Sequence, residues 1–456
     1  MPRTSVDYRD LGESARAWTL AQLRDADGPW LPEWVRTAEP EPEPSPYERD
    51  MLYCGIAGLG PLLAEVALHR ALDQREERLR SAVHQRLSTE AMTTPDLSLY
   101  IGATGYAYAL ALLGGDPSAA LARVASQVGE HGWPSEEFAY VNDVIGGSAG
   151  IVMTGSLLGG AGGREVVEAG AARLLGTAEA TAAGLDWAMA PEYAARMPNF
   201  SHGTAGVAAA LAVAGAELDR PDLVAAAVEG ARHLLSIADL SDDGLELPMI
   251  IPPQEDRERV TYGWCHGPTG TSNLFAALAH AGVAEVDGMT PGELRARCIR
   301  SVLRSGVPQR IRPGFWDNDG RCCGTAGVGE MLLDAAQDAD DPAYSAELLD
   351  AACVMADAIV ARAITDEQGT RWRFVEHRKR GPAPGAQHVL DAGLGGHRRL
   401  PAASGARPRR RSRGGRRRGP RPLVGRSRVG QDAARRLSTS RPHRRSPLLT
   451  GCSPRT

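Results

Sequence analysis

The sequence is poor in aromatic residues and has no long uninterrupted apolar run. Aromatic residues make up 5% of the 456 residues, although hydrophobic residues reach 43%. No window offers the roughly 18 consecutive apolar residues that a membrane-spanning helix requires. The first residues also lack the basic start and apolar run of a secretory signal. We therefore expect a cytoplasmic protein without a membrane span.

β-Branched residues are sparse, and lysine is missing from a strongly basic C-terminal stretch. The abundance of Ala and Gly over β-branched residues favours helices. Residues 391–456 contain 19 Arg, no Lys and two acidic residues, which leaves the preceding 390 residues with a net charge of −22. A body this acidic does not favour nucleic-acid binding. Seven scattered cysteines, an odd number, do not indicate a secreted disulfide framework.

A repeat runs along the chain. A G-x-x-G pair followed by an apolar, Ala/Leu-rich run occurs six times, and the steps between the first glycines range from 45 to 64 residues. A step of this size holds two helices and their loops. The pairs are Gly55/Gly58, Gly102/Gly105, Gly147/Gly150, Gly203/Gly206, Gly267/Gly270 and Gly324/Gly327.

The pattern predicts alternating inner and outer helices. Each glycine-led run is apolar on nearly all sides and so predicts a buried helix, whereas residues 76–87, 221–238 and 292–304 are amphipathic. Such alternation predicts an all-α α/α barrel or a solenoid. We expect the glycines to allow tight turns where the inner helices begin, and to leave free N–H groups at one end of the ring. Any single pair could instead serve close helix packing.

Reactive side chains precede the glycines of four repeats. If the repeats are arranged in a ring, these side chains face one central opening. The candidates are Asp143 before Gly147, His202 before Gly203, Cys265 and His266 before Gly267, and Cys322 and Cys323 before Gly324.

Three of these cysteines suggest an open metal site. Cys265, Cys322 and Cys323 would supply three thiolates from neighbouring repeats, a donor set that suits Zn²⁺ with one position left vacant. Each candidate could instead have a purely structural role. A cysteine could pack as a small apolar group, a histidine could bond to a backbone carbonyl, and Asp143 could cap a helix. We expect the other thiols, those of Cys54, Cys298 and Cys353, to be inert core groups.

The motifs HGTAG, WCHGPTG and CCGTAG, in successive repeats, resemble those of the lanthionine synthetase C-like (LanC-like) family over roughly residues 45–380. The resemblance implies a toroid of seven inner and seven outer helices with a zinc ion at its centre. It also implies an enzyme that adds a peptide cysteine thiol to a dehydroalanine or dehydrobutyrine, forming a thioether.

The resemblance assigns roles to the candidates. Cys265 and Cys322 match the first two zinc ligands, and Cys323 stands where many members have histidine. His202 matches the catalytic histidine, with Asp143 as the aspartate of the catalytic site. His266 stands where many cyclases have tyrosine and is a further candidate for proton transfer. An arginine upstream of the W-C motif is also implied, with Arg257 and Arg259 as candidates.

The resemblance leaves the C-terminal region unexplained. We expect an entry segment (1–45), the toroid (46–380) and an Arg-rich tail (381–456) foreign to the fold. The seventh G-x-x-G motif, which the resemblance implies, is missing. A coding sequence for residues 387–400 can yield this motif when it is read one nucleotide later. A frameshift near residues 376–388 would then have produced a disordered tail. A genuine basic tail that binds an acidic partner is the competing interpretation, and resequencing the coding DNA separates the two.

Several functions fit these motifs. The first is cyclisation of a dehydrated precursor peptide, with dehydration supplied by a separate dehydratase. The second is addition of glutathione or another small thiol to a dehydroamino acid. A non-catalytic zinc scaffold is the third. An α/α-barrel glycosidase is disfavoured, because Asp143 has no clear carboxylate partner at the glycine positions.

Overall fold

The computed structural model describes most of the chain before the Arg-rich tail. The described residues are 5–25, 27–32, 34–35, 49–191, 193–255, 257–309, 316, 318–373 and 386–387. The tail hypothesis and nearly all of the out-of-frame stretch 387–400 therefore lie outside the described residues.

Six helix pairs in the described part of the chain build an α/α toroid, which confirms the predicted all-α fold. The inner helices are α2 (Leu59–His69), α4 (Ala103–Leu112), α6 (Ser148–Leu158), α8 (Thr204–Leu218), α10 (Pro268–His280) and α12 (Thr325–Asp338). The outer helices are α3 (Gln74–Thr93), α5 (Ser118–Ser126), α7 (Gly160–Gly176), α9 (Pro221–Ile237), α11 (Pro291–Arg304) and α13 (Pro342–Arg362). One further helix, α1 (Ser5–Ala21), precedes the first pair.

The inner helices form the core of the ring. Each packs against its own outer helix, and successive inner helices contact one another from α2 to α12. Residues 204–215 of α8 are all buried, because the helix is enclosed on every side. The amphipathic segments 76–87, 221–238 and 292–304 lie in the outer helices α3, α9 and α11 as predicted, apart from Ala238, which follows the end of α9. No helix in the described part of the chain is long and apolar enough to cross a membrane.

The glycines are required by the loops that enter the inner helices. A Cβ added at Gly203 would lie 1.5 Å from the carbonyl oxygen of Met197, and one at Gly270 would lie 1.8 Å from that of Trp264. Both carbonyls belong to residues six positions earlier in the chain. The entry loop thus folds back onto the first turn of its own helix, at a distance that only glycine permits.

The same loops bond to the first N–H groups of the helices. Ser148 N donates to Val141 O over 2.9 Å, and Thr325 N donates to Asn318 O over 3.3 Å. The expectation of free N–H groups at this end of the ring was therefore wrong. A loop that returns closely enough to require glycine also brings carbonyl oxygens to the helix start, where they replace water as acceptors.

A belt of backbone hydrogen bonds joins the entry loops around the ring. Each bond connects residues that lie two or three positions before the first glycine of neighbouring repeats. This inner belt places the residues that precede the glycines side by side. It runs from Tyr53 N to Tyr100 O (3.1 Å), Tyr100 N to Ile145 O (3.2 Å), Val144 N to Ser201 O (3.0 Å), Ser201 N to Cys265 O (3.0 Å) and Cys265 N to Cys322 O (3.2 Å).

The described part of the chain contains eight short strands, most of them before the first helix pair or after the last one. They are β1 (Arg24–Asp25), β2 (Pro29–Trp30), β3 (Trp34–Val35), β4 (Glu179–Thr181), β5 (Gly184–Asp186), β6 (Ile364–Asp366), β7 (Gly369–Arg373) and β8 (Ala386–Gln387). β3, β8, β7 and β6 form one antiparallel sheet in that order, and the other two sheets are two-stranded hairpins.

Helix α1 connects the first and last repeats on the outside of the ring. Glu13 accepts from Arg70 at the end of α2 over 2.9 Å, while Tyr8 donates to Asp357 of α13 over 2.8 Å. Arg70 also holds the pKa of Glu13 down at about 2. The segment expected only as an entry to the fold thus joins the two ends of the repeat array.

The cysteines expected to be inert differ in their surroundings. Cys298 of α11 is fully buried, as predicted, and burial raises the pKa of its thiol. Cys54 is half-buried, with its sulfur 3.6 Å from that of Met51. Cys353 lies in the outer helix α13 and is half-buried.

Candidate functional site

Three cysteine sulfurs converge at one end of the ring. Cys265 Sγ lies 3.1 Å from Cys323 Sγ, and Cys323 Sγ lies 3.4 Å from Cys322 Sγ. All three sulfurs lie within 4.8 Å of one another, and they form the one group of three or more potential ligand side chains found in the described part of the chain. The structure therefore brings together all three predicted metal ligands.

Two entry loops bring these sulfurs together. Cys265 precedes α10, and the other two cysteines precede α12, so the inner belt joins the loops through the bond from Cys265 N to Cys322 O. A Cβ at Gly263 would lie 2.9 Å from Cys323 Cα. Gly263 therefore permits the close approach of the two loops.

The buried thiol of Cys265 resists ionisation. The hydrogen bond with Cys322 and burial together raise the pKa of Cys265 well above its ordinary value. Three adjacent thiolates repel one another, which raises the pKa of a thiol among them. A divalent cation between the sulfurs would instead favour the ionised form. The donor set is sulfur-rich and compact, which fits Zn²⁺ better than a hard cation such as Mg²⁺.

His202 forms a close pair with Asp143. His202 Nδ1 lies 2.6 Å from Asp143 Oδ2, and the backbone N–H of Gly146 donates to the other carboxylate oxygen over 2.8 Å. The side chain of Asp143 is 3% exposed and that of His202 is 26% exposed. The buried carboxylate thus orients the imidazole ring of His202 through its Nδ1 atom.

His266 packs beside His202. The two ring centroids lie 5.4 Å apart with an angle of 32° between the planes, and His266 is buried. Ser201, the neighbour of His202, donates to Cys265 O from both its backbone N–H and its hydroxyl, over 3.0 and 2.9 Å. The histidine pair and the sulfur cluster therefore belong to one continuous site.

The arginine candidates, Arg257 and Arg259, precede Cys265 by eight and six residues. Arg259 is exposed and lines a cavity of about 210 Å³. Arg257 is half-buried, and its backbone N–H donates to Gln254 O over 3.2 Å. The residues that line the cavity include none of the site cysteines or histidines; they are Ile237, Asp239, Glu246, Pro248, Arg259 and Val260.

Sequence reasoning missed Tyr100. Its side chain is buried, and its ring lies 6.2 Å from that of Tyr53 and 5.9 Å from that of Trp264. Burial raises the pKa of the Tyr100 hydroxyl, and the contact with Trp264 places this tyrosine against the residue that directly precedes Cys265. Aligning the repeats would have indicated it, because Tyr100 precedes its first glycine by two residues, as Cys265 and Cys322 do.

The comparisons with known proteins agree with this fold. The family model described as "Lanthionine synthetase C-like protein" matches residues 46–371. No curated protein sequence matches the chain. Among solved structures, nisin cyclase is 16% identical with a TM-score of 0.48, and the match covers 70% of this chain and 84% of that one. The Lin0763 protein from Listeria innocua is 11% identical with a TM-score of 0.47, covering 84% and 94% respectively. At these identities and scores, neither likeness carries an argument about activity.

Proposed function

Because the chain belongs to the lanthionine synthetase C-like family, we propose that it is a zinc-dependent enzyme that adds a thiol to a dehydroamino acid. The observation that carries the proposal is the convergence of three sulfurs with the His202–Asp143 pair at one end of the toroid. The preferred substrate is a dehydrated peptide that contains cysteine, and the product is a lanthionine-type thioether.

Cys265, Cys322 and Cys323 would hold the metal. When bound, Zn²⁺ supplies a Lewis acid that lowers the pKa of a substrate thiol, so that the thiolate forms near neutral pH. Three sulfur donors would leave a bound zinc ion able to accept a substrate thiol, and such an open position distinguishes catalytic from structural zinc sites.

His202 moves the proton in this proposal. The substrate S–H bond breaks and the proton passes to Nε2 of His202, while the sulfur forms a C–S bond at the β-carbon of the dehydro residue. The same proton then returns to the α-carbon and forms a C–H bond. The sum is an addition across a double bond, which needs no oxidant or reductant.

Asp143 and His266 support His202. A carboxylate bonded to Nδ1 fixes the tautomer of the imidazole and stabilises its protonated form, as the aspartate does in Ser-His-Asp sites. The buried His266 restricts the His202 ring by packing against it. The greater exposure of His202 favours it over His266 as the group that exchanges the proton with substrate.

We further propose that residues 46–380 form the enzymatic unit and that a separate dehydratase supplies the dehydro residue.

Thiol alkylation and mass spectrometry test the activity. A dehydrated cysteine peptide should lose its alkylatable thiol with no change in mass, because cyclisation is an isomerisation. Addition only of glutathione to a cysteine-free dehydroalanine peptide would instead identify a small thiol as the substrate. If neither product forms in the zinc-loaded chain, the catalytic proposal fails and a zinc scaffold remains.

A further inference from the structure

A buried ion pair lies at the base of the loop that carries two of the three sulfurs. The guanidinium of Arg362, the last residue of α13, donates to Asp319 Oδ1, to Thr325 Oγ1 (3.1 Å) and to Pro308 O. Thr325 Oγ1 donates to Asp319 Oδ1 over 3.1 Å and accepts from Trp316 Nε1 over 3.0 Å. An outer helix is thereby connected to the entry loop of α12, three residues before Cys322.

The first repeat contains an ion pair of the same construction. Asp319 precedes Gly324 by five residues, and Asp50 precedes Gly55 by five. Arg86 of the outer helix α3 binds both oxygens of Asp50, over 2.5 and 2.7 Å. The arginine side chains are each 17% exposed, and the aspartate side chains are 5% and 4% exposed. The two aspartates thus match in repeat position and the two ion pairs match in burial, but only the sixth repeat carries a proposed metal loop.

Consecutive cysteines impose a strict geometry on this loop. In an extended chain, successive side chains point to opposite sides. Cys322 and Cys323 nonetheless hold their sulfurs 3.4 Å apart, because residues 321–323 form a turn. A buried ion pair is weak evidence for stability, since desolvation offsets much of the attraction. Its directional bonds can, however, fix the backbone at one end of the turn.

We propose that Arg362 and Asp319 are positioning residues that hold the turn so that the sulfurs of both Cys322 and Cys323 face Cys265. This inference rests on the metal site of the proposed function. Arg362 contacts no sulfur in the described structure; it acts through Asp319 and the loop backbone. The first repeat has no such ligand pair, so its Arg86–Asp50 pair serves the fold alone.

Cobalt(II) binding to the full chain tests the proposal, because thiolate-to-cobalt charge-transfer absorption increases with the number of sulfur ligands. Arg362→Gln and Asp319→Asn are expected to weaken cobalt affinity by about 10–100-fold, the usual effect of losing an outer-shell partner. Their charge-transfer absorption should also fall. The matched controls Arg86→Gln and Asp50→Asn should lower the melting temperature by a similar amount and leave affinity and spectrum unchanged.

The outcomes separate this proposal from the one it rests on. If the unaltered chain shows no charge-transfer absorption with cobalt, the metal site of the proposed function fails. If the unaltered chain shows this absorption, and Arg362→Gln binds cobalt with the same affinity and spectrum as Arg86→Gln, the positioning role is wrong. Should Arg362→Gln fail to fold, Arg362→Lys is compared with Arg86→Lys, because lysine keeps the charge and loses the planar fork. Equal cobalt affinities in those two variants would also overturn the proposal.

Discussion

Replacement of His202 by alanine is expected to lower the rate of thiol addition by about 10²–10⁴-fold, the usual contribution of a general acid–base group. Zinc content should stay unchanged, because His202 is not one of the three sulfur ligands. Asp143→Asn should also lower the rate, since the carboxylate that fixes the His202 tautomer is lost. The measurements are the rate of thioether formation and the zinc content of each purified variant.

His233 provides a matched control for His202. It also lies near a carboxylate, with Nε2 3.7 Å from Asp186 Oδ1, and Nδ1 lies 3.2 Å from Thr181 Oγ1. It belongs to the outer helix α9. His233→Ala should therefore leave the rate unchanged. Full activity in His202→Ala together with loss of activity in His266→Ala would transfer the proton-exchange role to His266.

Gly327→Ala is expected to destabilise the toroid by about 3 kcal/mol, at the upper end of the usual cost of forcing extra volume into a packed interior. A Cβ at Gly327 would lie 2.0 Å from Arg321 O, in the peptide group that leads directly to Cys322. The loop must move to accommodate the methyl group, so zinc binding should also weaken. Urea denaturation and zinc content measure the two effects.

Gly329 is the matched control two residues later in the same helix. A Cβ there would meet its nearest neighbour, Met355 Cβ, at 3.6 Å, which is an ordinary contact. Gly329→Ala should therefore stabilise the protein by about 0.5–1 kcal/mol, because alanine restricts the unfolded chain and favours the helix. If the two variants show the same stability, the carbonyl contact does not explain the repeated glycines.

The helical repeat could be predicted from sequence because each glycine reports a local steric requirement. Gly203 and Gly270 face carbonyl oxygens six residues earlier, so the motif recurs wherever an entry loop folds back. The hydrogen-bond acceptors of the first N–H groups of the inner helices could not be predicted in the same way. Glycine shows that a close approach occurs, but it does not show which acceptor the approaching loop brings.

The sequence predicts which positions form the candidate site, but most contacts between its side chains could not be read from the sequence. The repeat pattern places Cys265 and Cys322 two residues, and Cys323 one residue, before the first glycine of their repeats. The inner belt explains why these positions lie side by side. The bond between Asp143 and His202 joins residues 59 positions apart in different repeats; the family resemblance suggests that Asp143 orients His202, but no local pattern indicates the contact. The link from α1 to α13 and the Arg362–Asp319 pair were missed for the same reason, since both join distant segments through single side chains.

The zinc content of the purified chain, compared with that of Cys265→Ala, tests the metal centre most directly. We predict about one zinc ion per unaltered chain, as expected for a single site with three sulfur ligands, and a substantial loss of zinc from Cys265→Ala. Cys298→Ala, which removes a buried thiol of the outer helix α11 that is not one of the three clustered sulfurs, should keep its zinc. An unaltered chain without stoichiometric zinc, or a Cys265→Ala variant that retains it fully, would contradict the proposed metal centre.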